Sequence, residues 1–164
     1  MNSFALRTYR LANCELRRLD DAADAAVLSQ ALAQMEPWAS LGYSAKGLAD
    51  YLCRQDSALH RYGVVSGGGE LSGVIAVRFP WLRGPFLELL VILPSFQRRG
   101  FGREVMTWLA HEAASVSKNL WVTVSEFNTA AYTFYQSLGF QETGRLTDLI
   151  KEGEVEILLR KGAG

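Results

Sequence analysis

The sequence predicts an α/β protein of the mixed α+β kind, in which a mixed sheet carries helices on both faces. Three observations predict it. The front of the chain alternates short β-branched runs with two Ala/Leu-rich stretches of helical character. The run "FLELLVIL" is the most apolar in the chain and reads as a central strand, because a strand buried on both faces loses its polar alternation. Behind it the pattern runs strand, helix, strand, helix, strand, which a sheet with helices on both sides accommodates.

In order, residues 1–12 read as a loose arm or an extra strand, and "NCELRRL" alternates as a short strand over Cys14–Leu19. Asp20 and Asp21 precede "AADAAVLSQALAQM", a helix with Asp21 as its N-cap and its end before Pro37. Ser44 is placed to cap a second helix, "AKGLADYLCRQ". "RYGVVS" and "LSGVIAVRF" are two β-branched runs joined by "GGGE", a hairpin signature, and "PWLRGP" is a turn. After the central strand come a helix from Phe101 to Ser115, the strand "LWVTV", the helix "TAAYTFYQSL", the segment "GFQET" and a last strand, "VEILLRK".

With 164 residues the chain fits one domain, 1–164, large enough to bury a core without covalent staples. Seventeen basic and seventeen acidic side chains balance, so nothing points to a nucleic-acid or anionic membrane surface. Any bound anion must be held by local geometry. Two cysteines, Cys14 and Cys53, and two histidines, His60 and His111, argue against a disulfide framework and against a Cys/His metal site. "MNSFALRTYR" lacks the apolar run of a signal peptide, and no segment approaches the roughly 20 apolar residues of a membrane span. The expectation is a soluble, cytoplasmic protein without a metal.

One stretch asks for a chemical explanation. In "VILPSFQRRGFGREVMTWL" an apolar strand passes through Pro94, then sets arginines beside Gly100 and Gly102 where a helix begins. A helix start presents unpaired N–H groups and the positive end of its dipole, which makes it a ready anion site. Gly100 and Gly102 remove Cβ atoms that would keep a diphosphate away, Arg98, Arg99 and Arg103 add charge, and Gln97 adds a neutral donor. The Lys-Ser/Thr pair of a P-loop is absent, and Val105 breaks a G-x-G-x-x-G pattern. The plain alternative is a strand–helix turn with solvated arginines.

The stretch resembles the signature of the GNAT superfamily of acyl-CoA N-acetyltransferases, V/I-x-P-x-x-Q/R-x-x-G-x-G/A, with Ile92, Pro94, Gln97, Gly100 and Gly102 in register. Downstream, "SEFNTAAYTFYQSLGF" is similar to the family's N-x-x-A-x-x-x-Y-x-x-x-G-F block through Asn128, Ala131, Tyr135, Gly139 and Phe140. The resemblance implies a mostly antiparallel sheet of six to seven strands. It also implies acetyl-CoA as co-substrate, with its pyrophosphate at the Gln97–Arg103 turn, Phe101 included. Its pantetheine arm would run along Leu90, Val91, Ile92 and Leu93, with Val91 and Leu93 as main-chain contacts and an oxyanion-binding N–H near Leu90–Ile92.

Moving an acetyl group from a thioester to an amine needs a held donor, a neutral amine, a stabilised oxyanion and a proton for the leaving thiolate. The resemblance assigns that proton to Tyr135, with a core tyrosine as the plain alternative. Tyr132, one turn earlier, is placed to pack on the coenzyme, while Asn128 caps the helix or bonds the pantetheine amide. A free alkyl amine has a pKa of about 10, so a base is needed. Glu88 stands alone in "FLELLVIL", where an unpaired buried carboxylate is costly. It is the candidate base, on a face shared with Leu90 and Ile92, or an acid paired to Arg78 or Arg83. Superfamily enzymes that acetylate the N-terminal alanine of a ribosomal protein carry a glutamate where this chain has Thr123.

On the acceptor side, Glu36, Trp38 and Tyr43 in "QMEPWASLGYSAKG" and Trp81 in the "FPWLRGP" turn are candidates for an aromatic pocket with one acid. That pocket suits a small-molecule or amino-acid-like primary amine. A protein N-terminus or lysine is the second enzymatic reading, and a coenzyme-binding sensor or interaction module the non-enzymatic one. The resemblance leaves a homodimer open.

Overall fold

The computed structural model describes residues 3–162. Its elements run β1 (Thr8–Arg10), β2 (Cys14–Arg18), α1 (Ala22–Leu32), α2 (Trp38–Leu41), α3 (Ala45–Cys53), β3 (Leu59–Ser66), β4 (Leu71–Trp81) and β5 (Gly84–Ile92). A 3-10 turn over Pro94–Phe96 leads to α4 (Phe101–Ala114), β6 (Asn119–Ser125), α5 (Thr129–Ser137), β7 (Gln141–Thr147) and β8 (Val155–Gly162). Both front helices start on the side chains expected to cap them. Asp21 accepts from the Ala23 N–H at 2.7 Å and Ser44 from the Gly47 N–H at 3.0 Å. Between them a short helix, α2, fills the connection, closed by Gly42 in the left-handed region (φ 80°).

All eight strands form one sheet in the order β1-β2-β3-β4-β5-β6-β8-β7, and β5–β6 is its parallel pair among antiparallel neighbours. The count exceeds the expected six to seven because the N-terminal arm adds β1 on the edge of β2. Tyr9 holds that edge down, its ring 5.6 Å from Tyr62 and 4.9 Å from Trp108. Among the described residues no helix is long and apolar enough to cross a membrane.

The sheet separates two cores. Val74 and Ala76 of β4 face the layer of α1 and α3, while Ile75 and Val77 face α4 and α5, the period-2 alternation of a strand buried on both sides. Gly73 is forced by the close approach of β4 and β5, since a Cβ there would lie 2.2 Å from the Val91 carbonyl oxygen. Leu109 of α4 and Leu159 of β8 are fully buried in the α4/α5 core. Truncating such a leucine to alanine costs about 2–5 kcal/mol.

One irregularity shapes the site. Ala76 pairs with Leu89 but Val77 pairs with Leu87, so Glu88 is an extra residue in β5, a β-bulge. Alternation inverts across it: Leu87, Leu90 and Ile92 pack toward α4 and α5, whereas Leu89 and Val91 belong to the α1/α3 core. Glu88 therefore does not share a face with Leu90 and Ile92 as a regular strand requires. Its carboxylate meets Tyr51 of α3 instead.

Candidate active site

β5 and β6 pair only at Phe86↔Trp121 and Leu87↔Val122. Beyond that point β6 stays with β8 and β5 with β4, so the two strands part where the bulge bends β5 away. The gap is a cavity of about 140 Å³, lined by Leu87–Leu90 of β5, Val122–Ser125 of β6, Asn128, Ala131 and Tyr135 at α5, and Glu156 of β8. Trp38 and Tyr43 close its outer side.

The parting frees one edge of β5. The Leu93 N–H donates to the Ser72 carbonyl of the β4 side at 2.8 Å, and pairing alternates from there. Val91 and Leu93 thus turn their main chain to β4, and Leu90 and Ile92 turn theirs to the gap. This corrects the expectation that Val91 and Leu93 offer the free main-chain groups. The Ile92 carbonyl is already engaged by the Gln97 amide, Nε2 to O at 2.9 Å. Gln97 thus pins the end of the free edge with one of its two amide N–H donors.

At the turn itself Gly100 is the N-cap of α4, in the left-handed region (φ 84°), and no side chain caps that helix. A Cβ at Gly100 would meet nothing within 4 Å, so its face is open to a ligand. Gly102 is different: a Cβ there would touch Phe134 at 3.6 Å and Ile92 at 3.8 Å, ordinary packing between α4, α5 and β5. Arg98 is also left-handed (φ 61°). Arg98, Arg99 and Arg103 are all exposed. The Arg99 guanidinium lies 5.2 Å from the Phe96 ring centre, and Arg103 reaches Ser137 of α5 at 3.1 Å. Phe101 turns inward and is buried.

Asn128 caps α5 by accepting from the Ala131 N–H at 3.2 Å while lining the cavity. Seven residues on, two turns of helix bring Tyr135 to the same cavity. Its ring is buried between Phe134 and Phe140, and its hydroxyl has no hydrogen-bond partner among the described residues. Burial pushes its pKa up. It is a protonated phenol facing the gap. Tyr132 leans on the α4/α5 core and donates to Glu142 at 3.1 Å, so its hydroxyl is tied to the outer surface.

Two carboxylates reach the cavity with different partners. Glu88 accepts from the Tyr51 hydroxyl at 2.8 Å on one oxygen and is ion-paired to Arg78 through the other. Arg78 in turn pairs with Asp56 at 3.0 Å. Burial, then Glu88, pushes the Tyr51 phenol upward. With a donor fixed on each oxygen, Glu88 has the geometry of an anchored anion, the structural pairing to Arg78 foreseen as the alternative to the base. Glu156 was not singled out in the sequence. Only 3% exposed, it accepts from Ser125 Oγ at 2.6 Å and has no cationic partner among the described residues. Burial raises its pKa, with the Ser125 bond pulling the other way and Glu154 adding to the rise. The signal was the one that flagged Glu88, an acid inside an apolar strand, here hidden by a position next to the strand's start.

A second chamber of about 290 Å³ joins the first through Trp38, Tyr43, Glu88, Leu89, Thr123 and Ile150. Leu48 and Tyr51 of α3, Phe86 of β5 and Leu149 of the β7–β8 turn complete its walls. Trp38 and Tyr43 thus fall where an aromatic pocket was expected. Glu36 does not: its carboxylate is spent on Ser40, accepting from the hydroxyl at 2.7 Å and the N–H at 3.2 Å, and it lines neither chamber. Trp81 sits one ring back, stacked on Phe86 at 4.5 Å and edge-on to Trp121 at 5.9 Å.

The family model for the acetyltransferase (GNAT) family matches residues 23–140. The chain belongs to that family. A [ribosomal protein bS18]-alanine N-acetyltransferase from Salmonella typhimurium is 41% identical over 54 residues, a segment that is 32% of this chain and 36% of that protein. The chain thus matches about a third of that curated relative's length. Among solved structures, an acetyltransferase from Thermus thermophilus superposes with a TM-score of 0.72 at 20% identity, over 94% of this chain and 99% of that one. The ribosomal-protein-S18-alanine N-acetyltransferase of Escherichia coli gives 0.70 at 22% identity, over 91% and 93%. A spermidine/spermine N-acetyltransferase from Vibrio cholerae gives 0.67 at 19%, over 92% of each. At these identities the structural likeness is one of fold.

Proposed function

We propose that the enzyme transfers an acetyl group from acetyl-CoA to the primary amine of a small or amino-acid-like molecule with an apolar body. The observation that carries this is the parting of β5 and β6 after Leu87↔Val122, which opens a gap holding the Tyr135 hydroxyl beside a free strand edge and an uncapped helix start. The open face at Gly100 and the free main chain of Leu90 fit a diphosphate and an amide-bearing arm respectively. Arg98, Arg99 and Arg103 supply long-range attraction. The thioester supplies an activated acetyl carbon, and the protein does the rest.

The acceptor enters the second chamber between α3 and the β7–β8 turn. Trp38, Phe86, Leu89 and Ile150 bury its apolar body, and the anchored Glu88 charge draws its ammonium to the junction of the chambers. The Leu90 N–H, on the free edge, meets the developing oxyanion. As the carbon–sulfur bond breaks, Tyr135 gives its proton to the thiolate; burial raises the phenol's pKa, so the transfer requires the sulfur within hydrogen-bond reach.

The test has two arms. Calorimetric titration should show micromolar binding of acetyl-CoA, and thiol release should be fastest with amines such as 2-phenylethylamine and slow with spermidine. No binding of acetyl-CoA, or no thiol release with any acceptor, would overturn the reading. The local 41% match to an alanine N-acetyltransferase supports a second reading, a protein N-terminus as acceptor. An alanine-terminated peptide outrunning every small amine would establish it.

A further inference from the structure

We infer that Glu156 of β8 takes the proton from the acceptor's ammonium group, acting as the base opposite Tyr135 in the cavity between β5 and β6. This rests on the acetyl-transfer reading above and deepens it, because it assigns the step that the anchored Glu88 is poorly placed to perform. Three features of the structure carry it. Glu156 lines the same cavity as Tyr135 and Asn128. It is nearly wholly buried, yet its one hydrogen-bond partner among the described residues is a neutral hydroxyl, Ser125 Oγ. A carboxylate so placed is costly to keep charged, and a transient cation is what would offset that cost.

Glu88 lacks this freedom. Protonating it would break its bond from Arg78 and leave that guanidinium with Asp56 alone. Protonating Glu156 breaks no ion pair. The ionisable groups facing Glu156 come from several elements: Glu154 before β8, Tyr43 after α2, Tyr135 on α5 and Glu88 on β5. Arg145 of β7 and Glu126 of the turn after β6 lie close by in the chain pairing but are bound to each other. Among the described residues, the lining of the cavity holds no cationic side chain, so the surroundings favour proton uptake.

The step balances as follows. The ammonium gives one proton to the Glu156 carboxylate, which later passes it to solvent. The freed nitrogen lone pair forms the C–N bond to the thioester carbonyl, and the carbonyl π electrons move to oxygen. Collapse breaks the C–S bond. The thiolate takes the Tyr135 proton, and the phenolate is restored by the second proton leaving nitrogen. Ammonium and acetyl-CoA thus become amide, free thiol and one released proton.

The test uses the whole enzyme, 2-phenylethylamine and an alanine-terminated peptide as probes, and pH as the variable. Glu156→Gln should keep acetyl-CoA affinity and lose about 100-fold in kcat/KM at neutral pH, the usual scale for a positioned base. The loss should shrink steadily as pH rises toward the amine pKa of about 10, where solution removes the proton instead. Ser125→Ala removes a bond that favours the charged form, so it should move the acidic limb of the rate profile to higher pH. If the Gln variant does not fold, Glu156→Asp should show a smaller loss with the limb retained. Independently of turnover, carboxyl-carbon NMR should show the Glu156 resonance shifting when 2-phenylethylamine is added. An equal loss at every pH, no loss, or a resonance indifferent to the amine while turnover proceeds would overturn the role. Wild-type enzyme that releases no thiol at any pH would instead remove the acetyl-transfer reading on which the role depends.

Discussion

The side of the cleft facing α4 and the side facing α2 and α3 are built from different materials. Toward α4 the usable groups are main chain: the free edge of β5 at Leu90, and the amides at Gly100 where no side chain caps the helix. Toward α2 and α3 they are side chains brought from separate segments, Trp38, Tyr51, Phe86 and Ile150. A main-chain site constrains sequence only where a glycine, a proline or a spacing is required. A side-chain site constrains composition, and changing one residue changes the molecule it accepts. Under the proposed function, the side toward α4 would take the acetyl donor, a reagent common to many enzymes, and the side toward α2 and α3 an acceptor particular to one.

The largest separation of the two sides comes at their junction. Tyr135→Phe should lower kcat by about 100- to 1,000-fold while leaving acetyl-CoA affinity unchanged, read by steady-state kinetics beside calorimetry. A fall in affinity with kcat intact would make Tyr135 a packing residue. Next, Gly100→Val forces a β-branched residue into the left-handed region, at about 1–2 kcal/mol of stability. It should also weaken acetyl-CoA binding by roughly tenfold with the acceptor KM unmoved, an effect of about 1.4 kcal/mol.

Trp38→Ala should do the reverse, raising the acceptor KM several-fold without touching coenzyme affinity. If both constants moved in either variant, the two sides would be one site. The smallest effect concerns stability against pH. Burial raises the Glu156 pKa in the folded state, so its favourable contribution is complete below the ordinary carboxylate range and is lost as pH rises through the raised value. Glu156→Gln should therefore melt close to wild type at low pH and progressively above it at neutral pH, read by thermal scans. A gap constant with pH would mean that Glu156 carries no raised pKa.

The same division decides what the sequence disclosed. Asp21 and Ser44 announce their helices because capping is local chemistry, and the Gly100 turn announces itself because only certain spacings let a strand end open into a helix. Asn128 and Tyr135 are named by the resemblance of "SEFNTAAYTFYQSLGF" to the family's block, and their spacing of two helical turns puts both on the cavity. The bulge at Glu88 was not legible, since "FLELLVIL" reads as an unbroken strand and the extra residue exists only in the register with β4. That one residue turned Glu88 toward Tyr51 and Arg78. Glu36 and Trp81 were misplaced for a related reason: aromatic and acidic residues on connections are assigned by tertiary packing, which put Glu36 on Ser40 and Trp81 behind Phe86. Glu156 was hidden because its burial depends on β6 and Tyr43 closing over the start of β8.

The account turns on the main chain of the donor side, and backbone-amide NMR during acetyl-CoA titration tests it most directly. The amides of residues 98–103 and of Leu90 should shift together and saturate at one equivalent, with those of Leu48 and Tyr51 nearly still. Saturation accompanied by movement at the acceptor chamber, and by silence at Gly100 and Leu90, would contradict it.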